Sequence, residues 1–199
     1  MKQTIALSPR VALVLGHIET VREVYGVIGG EFGQEMKRLR TRLDGILLEE
    51  IPELKTWTRE ESTNENALYY YPASWKVRGD AIALWIVLGN PEELDPSDGE
   101  PYVGLYVPRR WRGLAALTHM LKAKGNRPDG FDHICKHAAE NYDETNPIWA
   151  YVSYARYARK GKFDTLSFVR KIVLLSKRIV SKKERVDSMI ELAAKGSKH

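Results

Sequence analysis

The chain has 199 residues, 43% apolar and 29% charged, with nine prolines and fifteen glycines, which excludes collagen-like and wholly disordered readings and suits one hydrophobic core. Its single cysteine, Cys135, rules out an internal disulfide and points to a reducing, cytoplasmic setting. The longest apolar run, Ala81 to Leu88, is far short of the roughly 20 residues that span a bilayer, so no membrane role is expected.

Ser8-Pro9 reads as an N-cap followed by proline at the first helical position. Val11, Val14, Ile18, Val21 and Tyr25 then recur at helical steps and predict a first helix from Pro9 to Tyr25. Gly26, Gly29 and Gly30 are expected to break it. Phe32, Met36, Leu39, Leu43 and Ile46 predict a second helix ending near Glu50, and the polar stretch from Thr58 to Asn66 reads as a loop.

From Ala67 the pattern changes to short aromatic and β-branched segments. Leu68–Tyr71, Ala81–Leu88 and Tyr102–Val107 read as strands, with a brief strand at Trp75–Val77 before a turn at Gly79-Asp80. Residues 90–100 form an acidic, proline-rich loop. Leu114, Leu117 and Leu121 line a helix from about Trp111 to Gly125, and Asp132 is placed to cap a short helix through Ala139. Residues 148–155 fit either a helix behind Asn146-Pro147 or a strand. Asp164 or Thr165 opens a final helical stretch carrying Phe168, Ile172, Leu175, Ile179, Val186 and Met189, and the capping-box pattern of Ser181 with Glu184 allows two helices that meet at Val180.

These elements predict one α+β domain over residues 1–199, with helix exceeding strand. Residues 1–50 supply a helix pair, 67–108 a small antiparallel sheet of three to four strands, and 109–199 a basic, mainly helical half; helices from both ends cover the sheet. The charge is divided along the chain. Residues 1–108 carry a net −6 and residues 109–199 a net +11, together the overall +5. A segment so basic attracts phosphate or an acidic protein surface.

Among chemical motifs, Gly-x-Ser-x-Gly, the P-loop and Gly-x-Gly-x-x-Gly are absent from the sequence, which leans against an enzyme of a common class. No cofactor is expected. His133, Cys135 and His137 are metal-ligand types, but no second pair elsewhere completes four ligands, so no metal site is assigned. The order helix, three strands, helix over about Glu31 to Lys124 resembles the core topology of restriction-endonuclease-like nucleases. In that family a carboxylate at a strand start and a Glu-x-Lys on the next strand hold the metal and the water. The resemblance places Asp80 at the first position, whereas Val103-Gly104-Leu105 supplies neither acid nor lysine and implies a degenerate site.

Three functions are compatible with these features. The first is a non-enzymatic nucleic-acid-binding or nucleic-acid-associated protein, because arginine interleaves with aromatic residues at Arg109-Arg110-Trp111-Arg112 and over Tyr151–Lys162. Its candidate contacts are Arg109, Arg110, Arg112, Arg156, Arg159 and Lys160, with Lys177, Arg178 and Lys182 from a basic stripe on the C-terminal helix. The second is a protein-interaction module, such as an inhibitor, adaptor or antitoxin-like partner, that presents Glu92, Glu93, Asp95 and Asp98 to a basic macromolecular surface. The third is a metal-dependent nuclease of unrecognised type with Asp80, Glu60, Glu61 or the His133/His137 pair as ligands.

Overall fold

The structure is a computed structural model, and it describes residues 7–18, 25–62, 66–77, 80–89, 100–123, 125–131, 133–134 and 147–196. Helix outweighs strand among them, and the molecule is built on one antiparallel sheet. The sheet has six strands, β1 (Thr58–Ser62), β2 (Ala67–Tyr71), β5 (Ala83–Val87), β6 (Tyr102–Tyr106), β7 (His133–Ile134) and β8 (Ile148–Tyr151), in the order β1-β2-β5-β6-β8-β7. Two short hairpins stand apart from it, β3 (Lys76–Val77) with β4 (Asp80–Ala81), and β9 (Ala158–Arg159) with β10 (Lys162–Phe163).

Alternation along the strands decides which face is dry. Leu68 and Tyr70 on β2, Leu84 and Ile86 on β5, Val103 and Leu105 on β6, and Ile148 and Ala150 on β8 are all buried in the main core. Against that face lie α2 (Tyr25–Glu50) and α5 (Thr165–Val180), which pack on each other as well as on the strands. Helix α2 contributes Met36, Leu39, Leu43, Ile46 and Leu47, and α5 contributes Phe168, Ile172, Leu175 and Ile179, both at three- and four-residue steps. Helix α1 (Pro9–Gly16) rests on the β9–β10 hairpin and on α4 (Tyr154–Tyr157). It starts where Ser8 Oγ accepts the Val11 N–H at 3.4 Å, and it ends so close to Gly161 that a Cβ on Gly16 would stand 2.7 Å from that backbone. Helices α3 (Leu114–Lys122) and α6 (Lys183–Gly196) pack together at the remaining side.

The sheet is wider than the three to four strands predicted. Strand β1 lies in the stretch read as a loop, because it is held by charge and not by apolar burial. Arg59 pairs with Asp44 of α2 at 2.8 Å, Arg40 of α2 pairs with Glu61 at 3.0 Å, and the Tyr70 hydroxyl donates to Asp44 as well. Burial and the Asp44 carboxylate push the Tyr70 hydroxyl pKa upward. Residues 133–134 are strand where a helix capped by Asp132 was expected, and residues 148–151 take the strand alternative, because β8 has the free edge of β6 to pair with.

Two helix boundaries also differ. Helix α2 begins at Tyr25 and carries Gly26, Gly29 and Gly30 inside it, while α1 stops at Gly16. Each glycine disfavours helix by about 1 kcal/mol, a cost that the long buried stripe from Met36 to Leu47 offsets. The C-terminal stretch divides after Val180 as its sequence allowed, yet Ser181 does not cap helix α6. Its hydroxyl donates backward to the Arg178 carbonyl at 2.9 Å. Among the described residues, no helix is long and apolar enough to cross a membrane.

Candidate functional site

The face of the sheet turned away from α2 and α5 is aromatic. Ala67, Trp85 and Val87 form a small buried patch there, edged by the half-buried Tyr69, Tyr102 and Tyr106. Trp85 stacks on Tyr69 with ring centroids 5.5 Å apart and meets Tyr102 and Tyr106 edge-on at 5.2 and 5.5 Å. Tyr102 continues to Tyr151 at 6.4 Å, and Tyr151 to Trp149 at 6.4 Å, so rings touch from β2 across β5 and β6 to β8. Gly104 makes room for this lattice, because it stands between Trp85 and Trp149 in the ladders and a Cβ there would lie 3.1 Å from Trp149 Cβ. The Trp85 indole N–H is buried and has no acceptor among the described residues. Such an orphan donor costs about 1–3 kcal/mol, so the face is not self-sufficient in hydrogen bonds.

At the β1–β2 side a cleft of about 430 Å³ opens in the same face, lined by Glu60, Tyr69, Tyr71, Lys76, Asp80, Ala81, Ala83 and Tyr106. The Tyr71 hydroxyl donates to Glu60 Oε1 at 2.5 Å, a bond that together with burial raises its pKa. Asp80 Oδ1 accepts the Ala81 N–H at 2.8 Å. Glu60 and Asp80 thus share one site, while Glu61 on the other side of β1 is held by Arg40 and Arg59. Among the described residues, no group of three metal-ligating side chains forms.

The nine basic residues singled out in the sequence fall in three places. Arg109 and Arg110 are exposed in a turn that follows β6, closed by the Trp111 N–H on the Pro108 carbonyl at 2.9 Å, and Arg112 is exposed just before α3. Arg156 on α4 and Arg159 and Lys160 at the β9–β10 turn are exposed at the opposite end, since β8 runs antiparallel to β6 and returns Tyr151 to Tyr102. The two groups therefore lie in segments that leave opposite ends of the sheet, and the second is on elements that pack with α5, as Tyr154 and Tyr157 both meet Phe168. Lys177 and Arg178 lie on α5, on the other side of the sheet, and Lys182 sits between α5 and α6. Lys177 bonds Glu50 at 3.0 Å and holds that carboxylate below its usual pKa, and Arg178 donates to the Asp129 carbonyl at 2.6 Å.

Several aromatic residues of the basic stretches serve packing. Tyr154 is buried, stacks on Phe168 at 5.3 Å and donates to the Leu88 carbonyl, while the Trp111 indole folds over Gly113. The half-buried rings on the second face, Tyr69, Tyr102 and Tyr106 around the buried Trp85, are not singled out by the sequence as a set, although the period of two at Tyr102-Val103-Gly104-Leu105-Tyr106 already separates two of them from the core residues. Glu92, Glu93, Asp95 and Asp98 lie outside the described residues, as do Cys135 and His137; His133 is in β7.

Comparison of the chain with family models, curated proteins and solved structures gives no match.

Proposed function

We propose that the chain is a non-enzymatic nucleic-acid-binding protein that takes a single strand across the aromatic face of its sheet. The observation that carries this reading is the ring lattice Tyr69–Trp85–Tyr102–Tyr106–Tyr151–Trp149 on the sheet face not covered by α2 and α5, with exposed arginines in the segments that follow β6 and β8. Bases present a π-face whatever their sequence, and each stacked on an aromatic ring contributes about 1–3 kcal/mol. Arg109, Arg110 and Arg112 take phosphates at one end, and Arg156, Arg159 and Lys160 at the other. Of the nine residues, the three on α5 and its C-terminal side face away from this path. The test is fluorescence anisotropy of a labelled oligo(dT) or oligo(U) at low salt, read together with quenching of tryptophan emission. Binding with quenching is expected, weakened by R109A/R110A/R112A; no binding at low salt would overturn the reading.

One observation favours a second reading, a metal-dependent nuclease. The cleft gathers Glu60 and Asp80 with Lys76, and Mg²⁺ is commonly held by one or two carboxylates together with substrate phosphates. Plasmid and RNA incubated in Mg²⁺ or Mn²⁺ decide it. Cleavage that D80N abolishes would establish it, and uncut substrate would exclude it.

A further inference from the structure

The β9–β10 hairpin gathers positive charge at one point. Its loop is the two residues Lys160 and Gly161, with φ of 50° and 70°, and Arg159 stands directly opposite Lys162 in the ladder. Arg159, Lys160 and Lys162 are all exposed, and so is Arg156 just before them on α4. The ion pairs of the described residues lie elsewhere, on α2, β1, α5 and α6. Asp164, the acid next to β10, spends one oxygen on the Ser167 N–H as the cap of α5.

Two features of this turn work against its own stability. Like charges directly opposite each other on antiparallel strands repel. Lysine also rarely takes a left-handed backbone, which asparagine or glycine adopts readily in a two-residue hairpin turn. The hairpin keeps both features because it is anchored elsewhere. Phe163 of β10 is buried against Tyr154 and Phe168 at 5.9 and 5.4 Å, and α1 ends against Gly161. From the end of α1 the exposed His17 reaches the same turn, since a Cβ on Gly161 would lie 2.9 Å from its Nε2. The result is a fixed tip with three cations in the four residues 159–162, which suits a compact, multiply charged anion. Phosphodiesters within a strand carry one charge each and are spread along it. A phosphate monoester carries about −1.5 to −2 and three acceptor oxygens at a single place.

We infer that the turn from Arg159 to Lys162 is a site for a terminal phosphate, the monoester at the end of a strand. The inference rests on the nucleic-acid reading above and specifies which phosphate the hairpin takes. Arg159 offers a bidentate fork, and Lys160 and Lys162 add point charges on either side of the loop glycine.

The experiment compares labelled dT tracts that carry a 5′-phosphate, a 3′-phosphate or hydroxyls at both ends, by fluorescence anisotropy, for the wild-type protein and K160N/K162Q; dTMP and thymidine are titrated separately by calorimetry. One phosphorylated end should bind the wild type roughly ten-fold more tightly than the hydroxyl-ended tract. K160N/K162Q should lose that preference, and its melting temperature should equal or exceed that of the wild type, because Asn-Gly suits the turn and the opposed charges are gone. All three tracts bound alike by the wild type would overturn the terminal-phosphate site and leave the single-strand reading standing. A preference that survives in K160N/K162Q would overturn it too, and so would a preference lost together with a lowered melting temperature, since the lysines would then be holding the turn together. Binding of dTMP over thymidine that K160N/K162Q removes, with no tract bound, would keep the phosphate site and remove the single-strand reading. Binding of no tract and no nucleotide would remove both.

Discussion

Gly104 stands opposite Trp85 in the β5–β6 ladder and opposite Trp149 in the β6–β8 ladder, and its missing side chain lets Trp149 approach. A Cβ at 104 would stand 3.0 Å from the Ile148 carbonyl oxygen and 3.1 Å from Trp149 Cβ, so Gly104→Val must shift β8 or the rings beside it. Overpacking of this sort costs about 1–3 kcal/mol, and urea unfolding should show a lowered midpoint with an unchanged slope. At Tyr70 the loss is polar. Tyr70→Phe removes the hydroxyl's bond to Asp44, which keeps Arg59, so the expected destabilisation is about 1–2 kcal/mol in the same measurement. How much of the site the sequence discloses is also a matter of single residues. The alternation at Tyr102, Gly104 and Tyr106 is visible in the string, but the meeting of Tyr69 with Trp85 depends on strand register, which no local pattern contains.

Elements were legible where apolar periodicity forms them. Strands β2, β5 and β6 and helix α5 are such cases, and the buried centres of the strands predict that Leu84→Asp or Leu105→Asp unfolds the protein in a thermal melt. Strand β1 was illegible because Thr58-Arg59-Glu60-Glu61-Ser62 has no apolar face, its side chains being held by Asp44, Arg40 and Tyr71. The start of α2 was obscured by glycines whose helix penalty is overridden at a distance, by residues that lie beyond them in sequence. Helix α5 has a cap that both sequence and structure display, with Asp164 accepting the Ser167 N–H at 3.0 Å. Asp164→Ala should cost about 1 kcal/mol. That bond holds the Asp164 pKa below its unfolded value of 3.8, so the stabilisation is fully present above the unfolded pKa and is lost as pH falls through the lower, folded one. Acid melts of wild type and D164A should therefore converge as the pH drops below about 4.

On the scale of the whole molecule, the excess positive charge of residues 109–199 is spread over separate elements, the turn after β6, α4, the β9–β10 hairpin and α5, and does not form one stripe. The stripe expected along a continuous C-terminal helix is interrupted at Ser181, and one of its lysines is engaged with Glu50. The exposed arginines Arg109, Arg110, Arg112, Arg156 and Arg159 lie in the segments that follow β6 and β8, which antiparallel pairing sends out from opposite ends of the sheet. For single strands each neutralised phosphate contributes about −0.7 to the log–log salt slope, so three arginines at one end account for about −2. R109A/R110A/R112A should flatten the slope by that amount, whereas K177A/R178A, on the far face, should leave it unchanged.

The proposed binding mode has unpaired bases stack on the exposed or half-buried rings of the second sheet face, Tyr69, Tyr102, Tyr106, Trp149 and Tyr151, with Trp85 buried beneath them. Competition between a single strand and its fully paired duplex for the same protein tests it most directly, because only the strand exposes base faces to the rings. The account predicts that the single strand displaces a labelled oligonucleotide at a clearly lower concentration than the duplex, and that Tyr102→Ala with Tyr151→Ala removes the difference. Equal or tighter binding of the duplex would contradict it.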